Sequence, residues 1–446
     1  MSVASPLFPE THSITAFEPT PLHWNPLFRI GFRFCFCYFA VWIFLNGNST
    51  VWQAVPIIGD GLGETAAYPP VFLANWVAPH VFHLKGVAAH SHPTGSGDTA
   101  ISWITTGIFI TIAMLGTLVW SIFDRRRCEY QTLLAWLRFG LRLSIGASLL
   151  GYGFYKLFPL QMPGLSLARL NEPVGQLSPM ALLWTFIGAS PVYEMFCGFA
   201  EIAAGLLLLV RRTALLGALV TAFVAANIVL YNFLFDVPVK LFSLHLLLGA
   251  LFIALPDVGA LYSFFWKHQP AAPGGVWVPP AKRLGFRRAT FVFELVFLAL
   301  VLSQSAIQAT FGYRAVLASN RLHSPLQGAW QLQGAQADPA LSAITQVFIE
   351  HAIDATTFWA VARRQDGEPA WGKLNTAQHT LTLGSNSGVR DLHYLAVGSN
   401  RLELKPAQEK GVPANRQYVL TRMQQPEEWP LLTRGFHLVS EYPYQR

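Results

Sequence analysis

Charge is what this chain has least of. Only 12% of its 446 residues are Asp, Glu, Lys or Arg, about half of the roughly one-quarter share found in soluble domains. That scarcity excludes an ordinary soluble protein, and 52% hydrophobic residues with a mean hydropathy of +0.37 point to the bilayer. Cysteine is also scarce. Cys35, Cys37, Cys128 and Cys197 contain no C-x-x-C pair and three lie in apolar runs, so neither a disulfide framework nor a thiol relay is expected. The chain shows no haem, flavin or iron–sulfur signature, and its cofactor stays unknown. Gly95-Ser-Gly-Asp-Thr99 lacks the Lys and following helix of a phosphate-binding loop; it reads as a tight turn in which Asp98 and Thr99 cap the next helix. No basic stretch leads directly into an apolar run within Met1–Pro26, so no cleaved signal peptide is expected. The net charge of +7 is no nucleic-acid signal in such a chain, because basic residues sort by side of the membrane.

What is present is a series of apolar runs, each near the roughly 20 residues a span needs. Seven are expected: Leu27–Leu45, Ala100–Phe123, Leu133–Phe158, Val192–Val210, Thr213–Phe235, Val239–Leu255 and Ala289–Thr310. Tyr68–Leu84, interrupted by Pro69, Pro70 and Pro79, reads as a short interfacial helix with Trp76 near the headgroups. Pro179–Ser190 is apolar but too short to cross. The expected architecture is an α-helical multi-pass domain over 27–310, preceded by a segment 1–26 and followed by a small β-rich soluble domain over 312–446. In that last part, runs such as Thr380-Leu-Thr-Leu383 and Arg401-Leu-Glu-Leu-Lys405 alternate between turn residues, which suits an antiparallel sandwich or barrel. Gly328-Ala-Trp330 resembles the opening of lipocalin-like barrels.

Basic clusters at Arg125-Arg-Arg127, Arg211-Arg212 and Lys267–Arg288 follow the second, fourth and sixth runs. The positive-inside rule then puts the N-terminus and these clusters in the cytoplasm, and the β domain outside.

The polar residues left in the apolar runs form the candidate site. Asn227-Ile-Val-Leu-Tyr-Asn-Phe-Leu-Phe-Asp-Val-Pro-Val-Lys-Leu-Phe-Ser-Leu-His245 joins two spans, and ionisable groups at that depth are costly unless partnered or functional. Orientation brings Lys156, Glu194, Glu201, Asn227, Asn232, Asp236, Lys240, Ser243, His245 and Asp98 to the outer half, whereas the inner half shows nothing comparable apart from Glu294. One polar pocket beneath the β domain is expected. Glu194, Glu201 and His245 are its candidate proton carriers, and Lys156, Asn227, Asn232, Asp236, Lys240, Ser243 and Asp98 its candidate ligand-binding groups. A purely structural role stays open for each: interhelical ties, helix caps at Asp236 and Lys240, a satisfied core histidine at His245. His80, His83, His90 and His92 have spacings that can ligate a metal, but no Cys or carboxylate completes the set and no metal is assigned.

Tyr152-Gly-Phe-Tyr-Lys156, Tyr193-Glu194 through Gly198-Phe-Ala-Glu201, Arg211-Arg-Thr213 and Asp236-Val-Pro-Val-Lys240-Leu-Phe-Ser243 resemble the DoxX-like family of bacterial membrane proteins, over about Leu133–Asp257. The wider group is similar to the membrane part of vitamin K-dependent carboxylase and to subunits linked to thiosulfate:quinone oxidoreduction and methylamine dehydrogenase maturation. The resemblance implies a four-helix core, here extended, in a bacterial inner membrane. Two functions compete: an enzyme or redox subunit holding a quinone or lipid in the pocket, and a non-catalytic scaffold or maturation factor whose β domain binds an extracytoplasmic protein. A transporter is disfavoured, because matching broken half-helices are absent. The lipid bilayer is the expected partner and nucleic acid is not.

Overall fold

The computed structural model describes residues 24–46, 50–55, 57–84, 95–162, 164–270, 284–334, 341–365, 369–385, 388–406 and 418–435. Its helices are α1 Pro26–Leu45, one-turn α2 Thr50–Gln53, α3 Gly59–His80, α4 Ala100–Phe123, α5 Gln131–Leu157, one-turn α6 Leu167–Leu170, α7 Pro179–Gly188, α8 Pro191–Leu209, α9 Ala214–Leu234, α10 Lys240–Ala254, α11 Val258–Phe265, α12 Leu284–Asn320 and one-turn α13 Pro430–Thr433. Among the described residues seven stretches are long and apolar enough to cross a membrane: α1, α4, α5, α8, α9, the α10–α11 stretch and α12. The sequence marks several starts by an N-cap side chain followed by proline. Ser178 accepts the Ala181 N–H before Pro179, Ser190 accepts the Tyr193 N–H before Pro191, and Asn25 accepts the Leu27 N–H before Pro26. The side-chain oxygen satisfies an orphan donor, while proline at the first helical position forfeits none.

Helix α5 is the centre of the bundle. Seventy-eight per cent of its apolar window is buried, against 17% for α4, so α5 meets protein on nearly every side and α4 presents most of its surface outward. Helix α3 corrects the expected short interfacial segment: it runs 22 residues with Pro69 and Pro70 inside it. A stripe of small residues, Ala67, Ala74 and Ala78, is buried, and the latter two pack against Ile101 of α4. Helix α12 runs on past the expected end at Thr310, reaching 37 residues. At 1.5 Å per residue that is roughly 55 Å, against about 30 Å of hydrocarbon, so its last turns rise toward the next domain.

That domain is a closed eight-stranded antiparallel barrel of up-and-down order, which decides between the sandwich and barrel expected from sequence. The strands are β1 Gly328–Gln333, β2 Ile344–Ala352, β3 Thr357–Arg364, β4 Pro369–Asn375, β5 Thr380–Ser385, β6 Gly388–Ala396, β7 Arg401–Pro406 and β8 Tyr418–Arg422. Pairing of β1 with β8, Trp330 opposite Arg422, closes it. Alternate residues point inward, and Trp330, Leu332, Phe358, Leu374, Leu404 and Tyr418 pack in one buried cluster. Trp330 donates its indole N–H to the Leu326 carbonyl at 2.9 Å, and the Arg422 guanidinium lies 4.9 Å from its ring centre.

Barrel and bundle are joined at one end. Glu350 of β2 accepts the Ala168 N–H of α6 at 2.8 Å, and Arg363 of β3 donates to the carbonyls of Asn171 and Ala168 at 2.9 and 2.8 Å. Burial lowers the pKa of the Arg363 guanidinium from its ordinary value, an effect Glu172 opposes. Ser319, near the end of α12, donates to the Ala352 carbonyl. The barrel is therefore latched to the segment that follows α5.

Candidate functional site

Two glycines build the site. Helices α5 and α8 cross in backbone contact at Gly153 and Gly198: a Cβ on Gly198 would stand 2.5 Å from the Leu157 nitrogen and 2.6 Å from the Gly153 carbonyl oxygen. Each glycine stands three residues before an ionisable group, in Gly153-Phe-Tyr-Lys156 and Gly198-Phe-Ala-Glu201. Side chains lean toward the N-terminus of their own helix, and contacts at the ends of α5 and α8 run them in opposite directions. Lys156 and Glu201 thus lean toward each other across the crossing. Their Nζ and Oε1 atoms are 2.7 Å apart, with Lys156 4% and Glu201 2% exposed. The Glu201 Oε2 atom is buried without a hydrogen-bond partner among the described residues.

The pair lies in the wall shared by two cavities. One, of about 260 Å³, is bounded by α5, α9 and α10 with Tyr152, Trp184, Tyr231 and Phe242 in its lining; the other, of about 190 Å³, lies toward α8 with Phe196 and Phe223. The Lys156 ammonium is 5.8 Å from the Tyr152 ring centre, a cation–π distance. An ion pair is thereby exposed to apolar, aromatic, ligand-sized space rather than sealed by packing.

Glu194 forms the roof. It is fully buried, and its Oε1 accepts the N–H groups of Gln161 and Met162 at 3.1 and 2.9 Å, while Oε2 has no partner among the described residues. No lysine among the described residues bonds Glu194; the loop after α5, held from above by the barrel, supplies backbone donors instead. Helix α7 closes the side of this roof, packing Leu183 and Ile187 with Met162 and Val237.

Of the other expected residues, Asn232 and Ser243 reach the cavity lining. Asn232 donates to Ser243 Oγ at 3.0 Å and to the Val239 carbonyl at 3.2 Å, tying α9 to α10. Asn227 sits on the exposed side of α9 and reaches only the smaller cavity. The remaining four are elsewhere. Asp98 does not cap α4, which Thr99 does; it accepts the N–H groups of Lys240 and Leu241 at 2.7 and 3.0 Å and so caps α10 from another loop. Asp236 has a φ of +52° and a side chain 80% exposed, and pairs with Lys240 at 2.7 Å on the rim. His245 faces the opposite way. It stacks between Trp42 and Tyr38 of α1, its Nδ1 lies 2.6 Å from the Leu241 carbonyl and its Nε2 2.6 Å from the Tyr38 hydroxyl. The carbonyl can only accept, so Nδ1 carries a proton, and Nε2 shares a hydrogen bond with the phenol. His245 is therefore a satisfied core histidine outside the cavity of Glu201. His80 lies 2.7 Å from its own helix carbonyl at Trp76, and His90 and His92 fall outside the described residues.

The expectation that the far end of the bundle holds little polar structure is overturned. Arg138 pairs with Asp257 at 2.7 Å, both almost fully buried. Arg142 donates to the carbonyls of Leu208 and Leu209 at 2.9 and 2.7 Å and lies 3.7 Å from Glu294, which Arg211 also contacts. Arg33 donates to Tyr130 and Ser121 and to the Asp124 carbonyl. The spacing of Arg138 and Arg142, one turn apart inside an apolar run, was the sequence signal for this cluster. Basic residues at the start of a span usually snorkel to the interface, so the spacing alone does not reveal a buried cluster.

Fold and site together define a multi-pass membrane protein with a buried Lys–Glu pair beneath a latched β-barrel. The uncharacterized protein YwoB of Bacillus subtilis (strain 168) is 35% identical to this chain over 126 residues, 27% of the chain and 82% of YwoB; the chain belongs to the family of that protein. No family model matches the chain, and no solved structure matches it.

Proposed function

We propose that the barrel-side cavities hold a lipophilic molecule with a polar head, of the quinone or lipid class, as part of an enzyme or redox-associated subunit. The observation that carries this reading is the Lys156–Glu201 pair standing in the shared wall of two aromatic-lined cavities. Lys156 offers donors to a carbonyl or anionic head, and the unpartnered Oε2 of Glu201 offers a proton acceptor. The DoxX-like resemblance of the same segments favours a quinone over other lipophiles. Of the basic clusters, Arg125–Arg127, Arg211-Arg212, Lys267 and Arg287-Arg288 lie at the end remote from the barrel, which supports a cytoplasmic N-terminus and an extracytoplasmic barrel in a bacterial inner membrane.

The test is solvent extraction of the full-length protein purified in native-lipid nanodiscs. About one quinone-class molecule per chain is expected, and it is lost in Lys156→Met/Glu201→Gln. Wild type yielding only bulk lipid, or a double variant retaining the molecule, overturns the proposal. The scaffold reading draws on a different observation: the barrel interior is filled, while Trp371 is exposed on its outside beside Trp359 at 6.4 Å between ring centres. Loss of a cross-linked partner from full-length Trp371→Ala, with the lipophile retained, would favour it.

A further inference from the structure

A further cavity, of about 380 Å³, lies between α5, α12 and the turn after α2. It adjoins the space around Lys156, since Tyr152 and Gln161 line both. Its edge carries the exposed side chains of Tyr152, Tyr155 and Gln308. Ile307 and Phe311 are exposed on the same stretch of α12, so the cavity opens on surface that faces lipid.

No charged residue is among those described in its lining. What lines it is neutral hydrogen-bonding capacity. Gln304 and Gln308 stand one turn apart on α12 with Ser305 beside them, and none of the three side chains has a hydrogen-bond partner among the described residues. Ser303, on the same helix but outside the lining, donates its hydroxyl to the Leu300 carbonyl; the buried Ser305 makes no such bond. Gln161 adds an Oε1 atom that is buried and also without a partner among the described residues. Amides and hydroxyls in apolar surroundings are costly unless bonded. Four of them around one cavity call for a partner from outside the chain.

The lining also selects the partner. A charged head would enter a cavity that offers it no opposite charge. A head that only accepts, such as a ketone or an ester, would serve the amide N–H groups and leave the Gln161 oxygen orphaned. A hydroxyl donates and accepts, and so satisfies both. The volume is that of a small-molecule site, which suits a compact head better than the convex face of another helix. We propose that this cleft binds a lipid with an uncharged, hydroxyl-bearing head seated among Gln161, Gln304 and Ser305, its chains leaving over the exposed face of α12.

The experiment places the full-length protein in phosphatidylcholine nanodiscs doped with dioleoylglycerol, with its 3-O-methyl ether, or with dioleoyl phosphatidic acid, and counts bound probe by native mass spectrometry. One dioleoylglycerol per chain is expected, at a tenth or less of the ether concentration that gives the same occupancy, with phosphatidic acid no better than the ether. Gln304→Met/Ser305→Ala removes polar groups at nearly constant volume and brings the alcohol down to the level of the ether. Lys156→Met/Glu201→Gln leaves alcohol binding unchanged, so this site and the one proposed at the ion pair fail separately. Equal occupancy by alcohol and ether, tighter binding of phosphatidic acid, loss of the alcohol in Lys156→Met/Glu201→Gln, or a chain dimer that Gln304→Met/Ser305→Ala dissociates overturns the proposal. Should that variant fail to accumulate, wild type alone decides: dioleoylglycerol with a diazirine on the first methylenes of its chains labels residues within 147–155 and 301–308. Labelling spread evenly over the lipid-facing helices overturns the proposal.

Discussion

At the barrel end of α5 the buried cation is Lys156, and its partner is one oxygen of Glu201 in a cavity wall. At the other end the cations are Arg138 and Arg142, and Arg142 spends two of its donors on the last carbonyls of α8. Both ends bury charge, but with different chemistry. A guanidinium fork that satisfies a helix terminus is a fixed tie. An ammonium with one close partner, beside open space, can exchange that partner for another. The difference separates residues that hold the bundle from residues available to a ligand.

The contrast is broken most directly at Arg142. Its replacement by Leu strands the carbonyls of Leu208 and Leu209 and leaves Glu294 to Arg211 alone, and a cost of about 1–3 kcal/mol is expected for each stranded carbonyl; the chain should fail to accumulate in the membrane fraction, and Arg142→Lys should rescue it poorly because one ammonium cannot replace the fork. At the Lys156 end, Glu201→Leu alone costs about 3 kcal/mol or more because a buried pair loses one member. Lys156→Met/Glu201→Leu returns thermal stability to near wild type while ligand retention stays lost. A double variant as unstable as Glu201→Leu would mean that the pair is a tie like the arginines.

Gly198→Ala probes the crossing that sets the pair. Its Cβ meets the Leu157 nitrogen at 2.5 Å, and prying the helices apart should cost about 1–3 kcal/mol, read as a lower melting temperature together with lost ligand retention. The smallest effect is on the barrel. Asp354, in the β2–β3 turn, accepts the N–H groups of Thr356 and Thr357 at 2.8 and 2.9 Å. The Thr356 N–H first, then the other donors, hold its carboxyl below the ordinary 3.8. A value depressed in the folded state means the contribution is present above the unfolded pKa and is lost as pH falls through the folded one. Wild type should therefore melt above Asp354→Asn near neutrality, with the gap closing only below about pH 4.

The seven spans and a β-rich domain were legible because hydrocarbon and strand pairing impose periodicities of their own, long apolar runs and alternation; closure into a barrel rather than a sandwich was not. The Lys156–Glu201 meeting was legible as opposite charges in neighbouring runs, although the glycine crossing that aims them was not. The expected single pocket includes both Ser243 and His245, yet residues two apart on a helix point about 200° apart, and His245 accordingly faces α1. Asp236 read as a pocket wall because its depth was inferred from chain position; its turn carries it to the surface. Glu194 could not be placed from sequence, since its donors come from a loop whose position depends on the barrel. The arginine cluster needed knowledge of which later helix returns to α5.

That dependence on later helices has a consequence for how the protein is made. Arg138 waits 119 residues for Asp257 and Lys156 waits 45 for Glu201. Helix α5 leaves the ribosome before the carboxylates that pair with Arg138 and Lys156, Asp257 and Glu201, have been made, and a span so charged is a poor candidate to enter lipid alone. Its integration should therefore be late and joint, with α5 retained at the insertion machinery until α8 arrives. Truncating the nascent chain before Glu201 should leave α5 extractable by carbonate, whereas the same chain extended through α8 should resist extraction.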